Sequence, residues 1–218
     1  MPNTPADRRS RKREQTASHL SATAFRLFEF YGYAAVSMEQ IADEADVAKA
    51  TLYNYFPVKE ALLAHRFRED IRAGMAEREA VLDAYQSFEA RMRYLLSESA
   101  AWHAARKPYL PHYLRFLTSQ ACYGDEPAGE CTSSSDSRQI LTLMFDAAQQ
   151  SGEIDTRQPA AQIAWSFEYL LFAAIAAWLT DPSTDLTKRF LDAFDLTMQG
   201  IAARPNTTSS RSCAKGTK

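Results

Sequence analysis

The stretch ADEADVAKATLYNYFPVKEALL, residues 42–63, decides how the rest of the chain is read. Two short helical patterns flank Ala45-Asp46-Val47, with neither proline nor glycine between them. The second pattern sets Lys49, Thr51, Tyr53, Asn54 and Tyr55 close together, and Pro57 then precedes a third. A helix this short does not need so many hydrogen-bonding side chains for packing. Two short helices joined by a tight turn, after a longer supporting helix, make a helix-turn-helix pattern. Its second helix lies in the DNA major groove. Val47, Leu52 and Phe56 are the expected anchors. Lys49 and Thr51 can reach base edges, the lysine donating to guanine and the threonine methyl meeting thymine. Tyr53 and Tyr55 offer hydroxyls to phosphates. Lys59, at the start of the next helix, is placed to grip one phosphate together with exposed N–H groups. The competing explanation is a solvated Lys/Tyr-rich helix in an ordinary helical bundle.

Working outward, helical signals dominate. The 218 residues include only seven glycines, and 46% are hydrophobic, which favours an all-α protein with a full core. Net charge is −2, so nucleic-acid binding requires local patches. Residues 1–14 read as a basic, disordered arm; its RRSRKR run suits either a groove-reaching arm or a solubilising tail. Leu20, Ala24, Leu27, Phe28 and Tyr31 mark an amphipathic helix, and Gly32 stands where a C′ glycine belongs. Ser37 with Gln40 forms a capping-box pattern before the next helix. A third helix is expected over about 48–56, and a long fourth to about Tyr85 with Leu63, Phe67, Ile71 and Met75 on one stripe. Pro108 separates two later helices, and YGDEPAGECTSSSDS, residues 123–137, reads as a long loop. Two last helices are expected over about 159–179 and 185–203, followed by a disordered tail, residues 204–218.

The N-terminus has no apolar segment of the kind a signal peptide needs. The apolar run Ala173–Leu179 falls short of a membrane span. Three cysteines, Cys122, Cys131 and Cys213, fit a reducing cytoplasm better than a disulfide framework. With His103 and His112 they match no compact metal-ligand spacing, so no metal or other cofactor is expected. A redox pair of Cys122 and Cys131 stays open. No phosphate loop, nucleophile elbow or HExxH pattern points to an enzyme.

The segment VSMEQIADEADVAKATLYNYFPVKEALL resembles the N-terminal domain of the TetR family of transcriptional regulators. The likeness runs from Thr16 to Phe67 and includes the skeleton IA..A.V....LY.YF..KE.L and the approach F...GY before it. The resemblance implies a helix-turn-helix domain over residues 15–60 and a helical effector-binding and dimerisation domain over 61–203. It implies a cap and phosphate role for Ser37 and groove-facing roles for Lys49, Ala50 and Thr51. Backbone contacts fall to Tyr53, Tyr55 and Lys59, with Asn54 variable. Asp46 stands where the family has glycine, Ala48 where it has serine and Val58 where it has a polar residue. Asp46 tolerates the left-handed conformation that glycine would adopt and could cap the recognition helix.

The segment SGEIDTRQPAAQIAWSFEYLLFAAIAAWL resembles the family's regulatory domain, whose last two helices pair with those of a second subunit. Phe167, Leu171, Ile175, Trp178, Phe190, Phe194 and Met198 are the expected dimer interface. An intramolecular core is the alternative for that wide apolar face. Trp102, His103, His112, Tyr113, Phe116, Trp165 and Tyr169 are candidates to contact an apolar or aromatic effector; an aromatic stripe of this kind also makes ordinary core. The reading that follows is a cytoplasmic, homodimeric, sequence-specific DNA-binding regulator, not an enzyme and not membrane-bound. It is a repressor released from a palindromic operator by a small molecule. The alternatives are an activator or nucleoid-associated factor without a ligand, or a helical enzyme or scaffold.

Overall fold

The computed structural model describes residues 5–123 and 136–201. Among these residues are nine α-helices and no strand: α1 (Pro5–Tyr31), α2 (Met38–Glu44), α3 (Lys49–Tyr55), α4 (Lys59–Leu82), α5 (Phe88–Ala105), α6 (Leu110–Tyr123), α7 (Asp136–Gln150), α8 (Ala160–Thr180) and α9 (Leu186–Ile201). Short 3-10 turns at Tyr33–Ala35 and Lys107–Tyr109 join α1 to α2 and α5 to α6.

In α1, Leu20, Ala24, Phe25 and Phe28 recur at helical spacing and are buried, so one face is fixed by packing. The helix begins at Pro5, inside the stretch that the sequence suggested as a disordered arm, residues 1–14. Arg, Lys, Glu and Gln are good helix formers, and a helix already nucleated by packing extends at little cost. Gly32 closes α1 with φ +85°, and its N–H donates to the Phe28 carbonyl at 3.0 Å. The tail, residues 204–218, and Cys131 lie outside the described residues.

Helix α4 packs against α1 and α6, while α8 packs against α7 and α9, and α9 against α5. Two aromatic clusters hold these layers together. Phe67 of α4 meets Trp102 of α5 and Tyr113 of α6, each at 4.8 Å between ring centroids, and Phe25 of α1 at 6.3 Å. At the other end, Phe88 packs on Phe145 at 5.4 Å and on Phe194 at 6.0 Å, and Phe167 completes the group. Edge-on ring pairs of this kind add to plain area burial. The start of α5 is capped twice: Ser87 Oγ accepts from the Ala90 N–H at 3.2 Å, and Glu153 Oε2 accepts from the Phe88 N–H at 2.6 Å.

Helix α8 is long and apolar enough to cross a membrane by length and composition, with mean hydropathy 1.5 in its most apolar window. Glu168 is the one charged residue within this helix. That carboxylate is buried and ion-paired with Arg138 at 2.6 Å.

Because Phe67 joins three other helices and is fully buried, Phe67→Ala is expected to cost about 3–5 kcal/mol. Urea denaturation at fixed protein concentration measures it; a loss below about 1 kcal/mol would show that the aromatic cluster is not a junction.

Candidate nucleic-acid interface and ligand cavity

The turn between α2 and α3 is built by backbone hydrogen bonds. The Val47 N–H donates to the Ala42 carbonyl at 3.0 Å and the Asp46 N–H to the Asp43 carbonyl at 3.2 Å, the paired bonds of a Schellman motif. Asp46 takes the left-handed position with φ +52°, as expected of the residue standing in for glycine. It does not cap α3: the N-cap is Ala48, with no side-chain bond to the helix. Ser37 caps α2 in full, accepting from the Gln40 N–H at 3.2 Å while its own N–H donates to Gln40 Oε1 at 2.8 Å.

Leu52 is fully buried and Phe56 nearly so, and Val47 packs on the same core. These anchors turn Lys49, Ala50, Tyr53 and Asn54 outward to solvent, with Thr51 and Tyr55 half-buried at the flanks. Tyr55 packs against the core, so its ring is less available than that of Tyr53, which is 44% exposed. Lys49 Nζ lies 4.0 Å from Glu39 of α2, a loose exposed pair that leaves it mobile.

Lys59 departs from expectation. Its ammonium donates to the carbonyls of Tyr33 and Val36, both at 2.7 Å, and sits 4.4 Å from the Tyr33 ring centroid. Burial lowers its pKa, partly offset by Glu60. In this structure the side chain ties the start of α4 to the turn after α1, a contact that the expected phosphate grip did not include. Spacing alone could not reveal it, since the two carbonyls are backbone atoms more than twenty residues away. Tyr33 in turn stacks on His112 of α6 at 4.0 Å, and Glu60 pairs with Arg115 at 3.1 Å. The Tyr33 hydroxyl is buried beside Glu60 without a well-formed hydrogen bond, and burial and the carboxylate push its pKa up.

A cavity of about 170 Å³ opens among α4, α5, α6, α7, α8 and α9. Trp102, His103 and Tyr113 line it, together with Ile71 and Met75 of the α4 stripe. Four other candidates lie elsewhere. His112 is held against Tyr33, and Phe116 packs into the core away from the cavity. Trp165 is 45% exposed and pairs with Tyr169 on the outer side of α8. The helical period places Trp165 about a third of a turn from the cavity-facing Leu171, a distinction lost when aromatic content alone is scored. Met92, Leu96, Met144 and Phe172 also line the cavity, aliphatic and aromatic wall residues that a search for aromatics with polar heads does not single out.

Most of the expected dimer residues are already packed within one chain. Phe167, Ile175, Trp178, Phe190 and Phe194 are buried within the single chain, and Met198 packs on the same core. Leu171 faces the cavity instead. The wide apolar face of α8 is divided: one side meets α7 and α9, and the other carries exposed Ala161, Trp165, Ala173, Ala176 and Ala177. Leu196 of α9 is exposed as well, at 59%.

Residues 20–65 match the family of bacterial regulatory proteins described as tetR. The chain is 32% identical over 162 residues to the HTH-type transcriptional repressor KstR of Mycobacterium tuberculosis, covering 72% of this chain and 69% of that protein. It is 25% identical over 191 residues to the putative mycofactocin biosynthesis transcriptional regulator MftR of the same organism, covering 88% of this chain and 93% of that one. Among solved structures, the fold resembles Thermus thermophilus FadR, a TetR-family transcriptional repressor in complex with lauroyl-CoA. That match has a TM-score of 0.71 at 20% identity and covers 88% of this chain and 97% of the other.

Lys59→Ala is expected to destabilise the fold by about 1.5–3 kcal/mol, because two carbonyls lose a charged donor. Chemical denaturation gives this loss, and salt titrations of DNA binding should show a slope changed by less than one ion. A full unit of slope change with stability intact would restore the side chain to the phosphate.

Proposed function

Since the chain belongs to the TetR family of bacterial regulatory proteins, we propose that it is a cytoplasmic repressor that leaves its operator when the inner cavity binds a small molecule. One observation carries the DNA side of this reading. Helix α3 buries only Leu52 and turns Lys49, Ala50, Tyr53 and Asn54 to solvent. Lys49 and Thr51 supply sequence preference near the N-terminus of α3. Tyr53 and the N–H groups at the N-termini of α2 and α4 hold phosphates, with Ser37 fixing the first of these ends. The repressor sense and the existence of an effector lean on KstR and FadR, whose descriptions name repressors and, for FadR, a bound acyl-CoA.

The operator is a palindrome read by a two-fold dimer. The outward stripe of α8, centred on Trp165, Ala173 and Ala176, together with Leu196 of α9, supplies the interface. Small alanines let two helices approach closely, and an exposed apolar stripe on a soluble regulator calls for a cover.

Thr51→Ala should cost about 1–3 kcal/mol on the preferred site and relax discrimination at one base pair. Fluorescence anisotropy with DNA from upstream of its own gene measures this. Equal losses on specific and random DNA would remove Thr51 from base reading. A second measurement concerns assembly: Trp165→Asp with Leu196→Asp should shift sedimentation from dimer to monomer at micromolar concentration and abolish operator binding. A doubly substituted protein that stayed dimeric would place the interface elsewhere.

A further inference from the structure

Every charge that lines the cavity is already matched within the protein. Arg78 donates to Glu98 through Nε and Nη2 at 3.3 and 3.0 Å, and through Nη1 to the Gly74 carbonyl at 2.8 Å. Asp70 is ion-paired with Arg66 at 3.0 Å and Arg106 at 2.8 Å. Glu168 accepts from Ser137 Oγ and Arg138 Nε, both at 2.8 Å. A charged ligand would have to break one of these pairs and leave a partner unmatched in a low-dielectric site, which is costly. Apart from the hydroxyl residues Ser99, Tyr113 and Ser137, the remaining wall is apolar, and Met75, Met92 and Met144 let it adapt to shape.

One polar atom stands apart. His103 lines the cavity, and its Nδ1 lies 2.7 Å from the Ser99 carbonyl oxygen. A carbonyl only accepts, so Nδ1 carries the proton of the neutral ring and Nε2 presents a lone pair. Burial pushes the imidazole down to about 4, so the ring is neutral at physiological pH. Among the described residues nothing donates to Nε2. Edge contacts with Trp102 at 4.8 Å and Phe190 at 5.7 Å hold the ring in place. Ser99 Oγ lies 3.3 Å from His103 Nδ1 and Ser137 Oγ donates to Glu168, which leaves Nε2 of the His103 ring as a fixed acceptor in a mostly apolar, charge-matched space. Its volume of about 170 Å³ is close to the roughly 150 Å³ that accommodates benzene in an engineered apolar cavity.

We propose that the cavity takes an uncharged one-ring phenol, whose hydroxyl donates to Nε2 of His103 while its ring and short alkyl substituent fill the apolar space. The inference rests on the reading of this cavity as the effector site and names the chemistry of the effector.

Three probes of matched shape test it by titration calorimetry on the full chain: 4-ethylphenol, its methyl ether 4-ethylanisole, and the anion 4-ethylbenzoate. The phenol should bind about tenfold more tightly than the ether, the worth of one hydrogen bond in a dry site, and the anion should bind more weakly than either. His103→Phe should bring the phenol-to-ether ratio to about one. Should that variant fold poorly, nitrogen-15 NMR of the native protein decides: the His103 Nε2 resonance should move on adding phenol and stay in place with the ether. Equal affinity for phenol and ether, tightest binding of the anion, an unmoved Nε2 resonance or no binding at all would overturn the proposal. Release of protein from the operator fragment is read in parallel. His103-dependent phenol binding without release would support the ligand class and defeat the effector reading. Release by the anion instead would spare the effector reading and overturn the ligand class.

Discussion

One ammonium group ties the DNA-facing end of the molecule to the rest. Lys59 begins α4 and donates to two carbonyls, of Tyr33 and Val36, in the turn that leads from α1 into α2. Those carbonyls lie beyond the end of α1, and the same ammonium sits over the Tyr33 ring. Both carbonyl dipoles and the ring face contact the charge on Lys59, while burial lowers its pKa and Glu60 partly offsets that. The orientation of α2 and α3 thus depends on where α4 starts, and α4 is a helix of the ligand cavity as well.

This tie explains why the motif reads so clearly in sequence while its mechanics do not. The skeleton from Ile41 to Leu62 is local: Ser37 and Gln40 cap α2, Asp46 makes the turn, and Leu52 and Phe56 anchor α3. Each role depends on neighbours within a few residues, so spacing and side-chain type are enough. Lys59 depends on backbone atoms brought near by the fold, which spacing cannot display. The family pattern pairs it with phosphate, and its ammonium is instead turned inward.

The second half was legible as helices but not as faces. Helix α8 is apolar around most of its circumference, so periodicity could not separate the side that meets α7 and α9 from the side left open. Phe167 and Trp165 are two residues apart and nearly opposite on the helix; one is fully buried and the other 45% exposed. Aromatic content likewise marked α5 and α6 as cavity walls but could not sort Tyr113, which lines the cavity, from its neighbour His112, which faces Tyr33.

That last pair of neighbours sets how the two ends of the molecule are joined. Tyr113 lines the cavity and meets Phe67, while His112 stacks on Tyr33 and Arg115 reaches Glu60 at the start of α4. Adjacent side chains on one helix turn cannot move independently, because α6 shifts as a rigid rod over so short a span. A ligand that displaces Tyr113 therefore disturbs the stacked His112 and Tyr33, and with them the carbonyl held by Lys59. Helix α4 is one connecting lever, with its start at the motif and its body along the cavity. The structure adds α6 as a second arm gripping the same point. Two arms that meet at Tyr33 and Lys59 make the connection stiff. A coupling of about 1–3 kcal/mol, the usual range between linked sites, then requires only a small change in how favourably the cavity and the turn fit together.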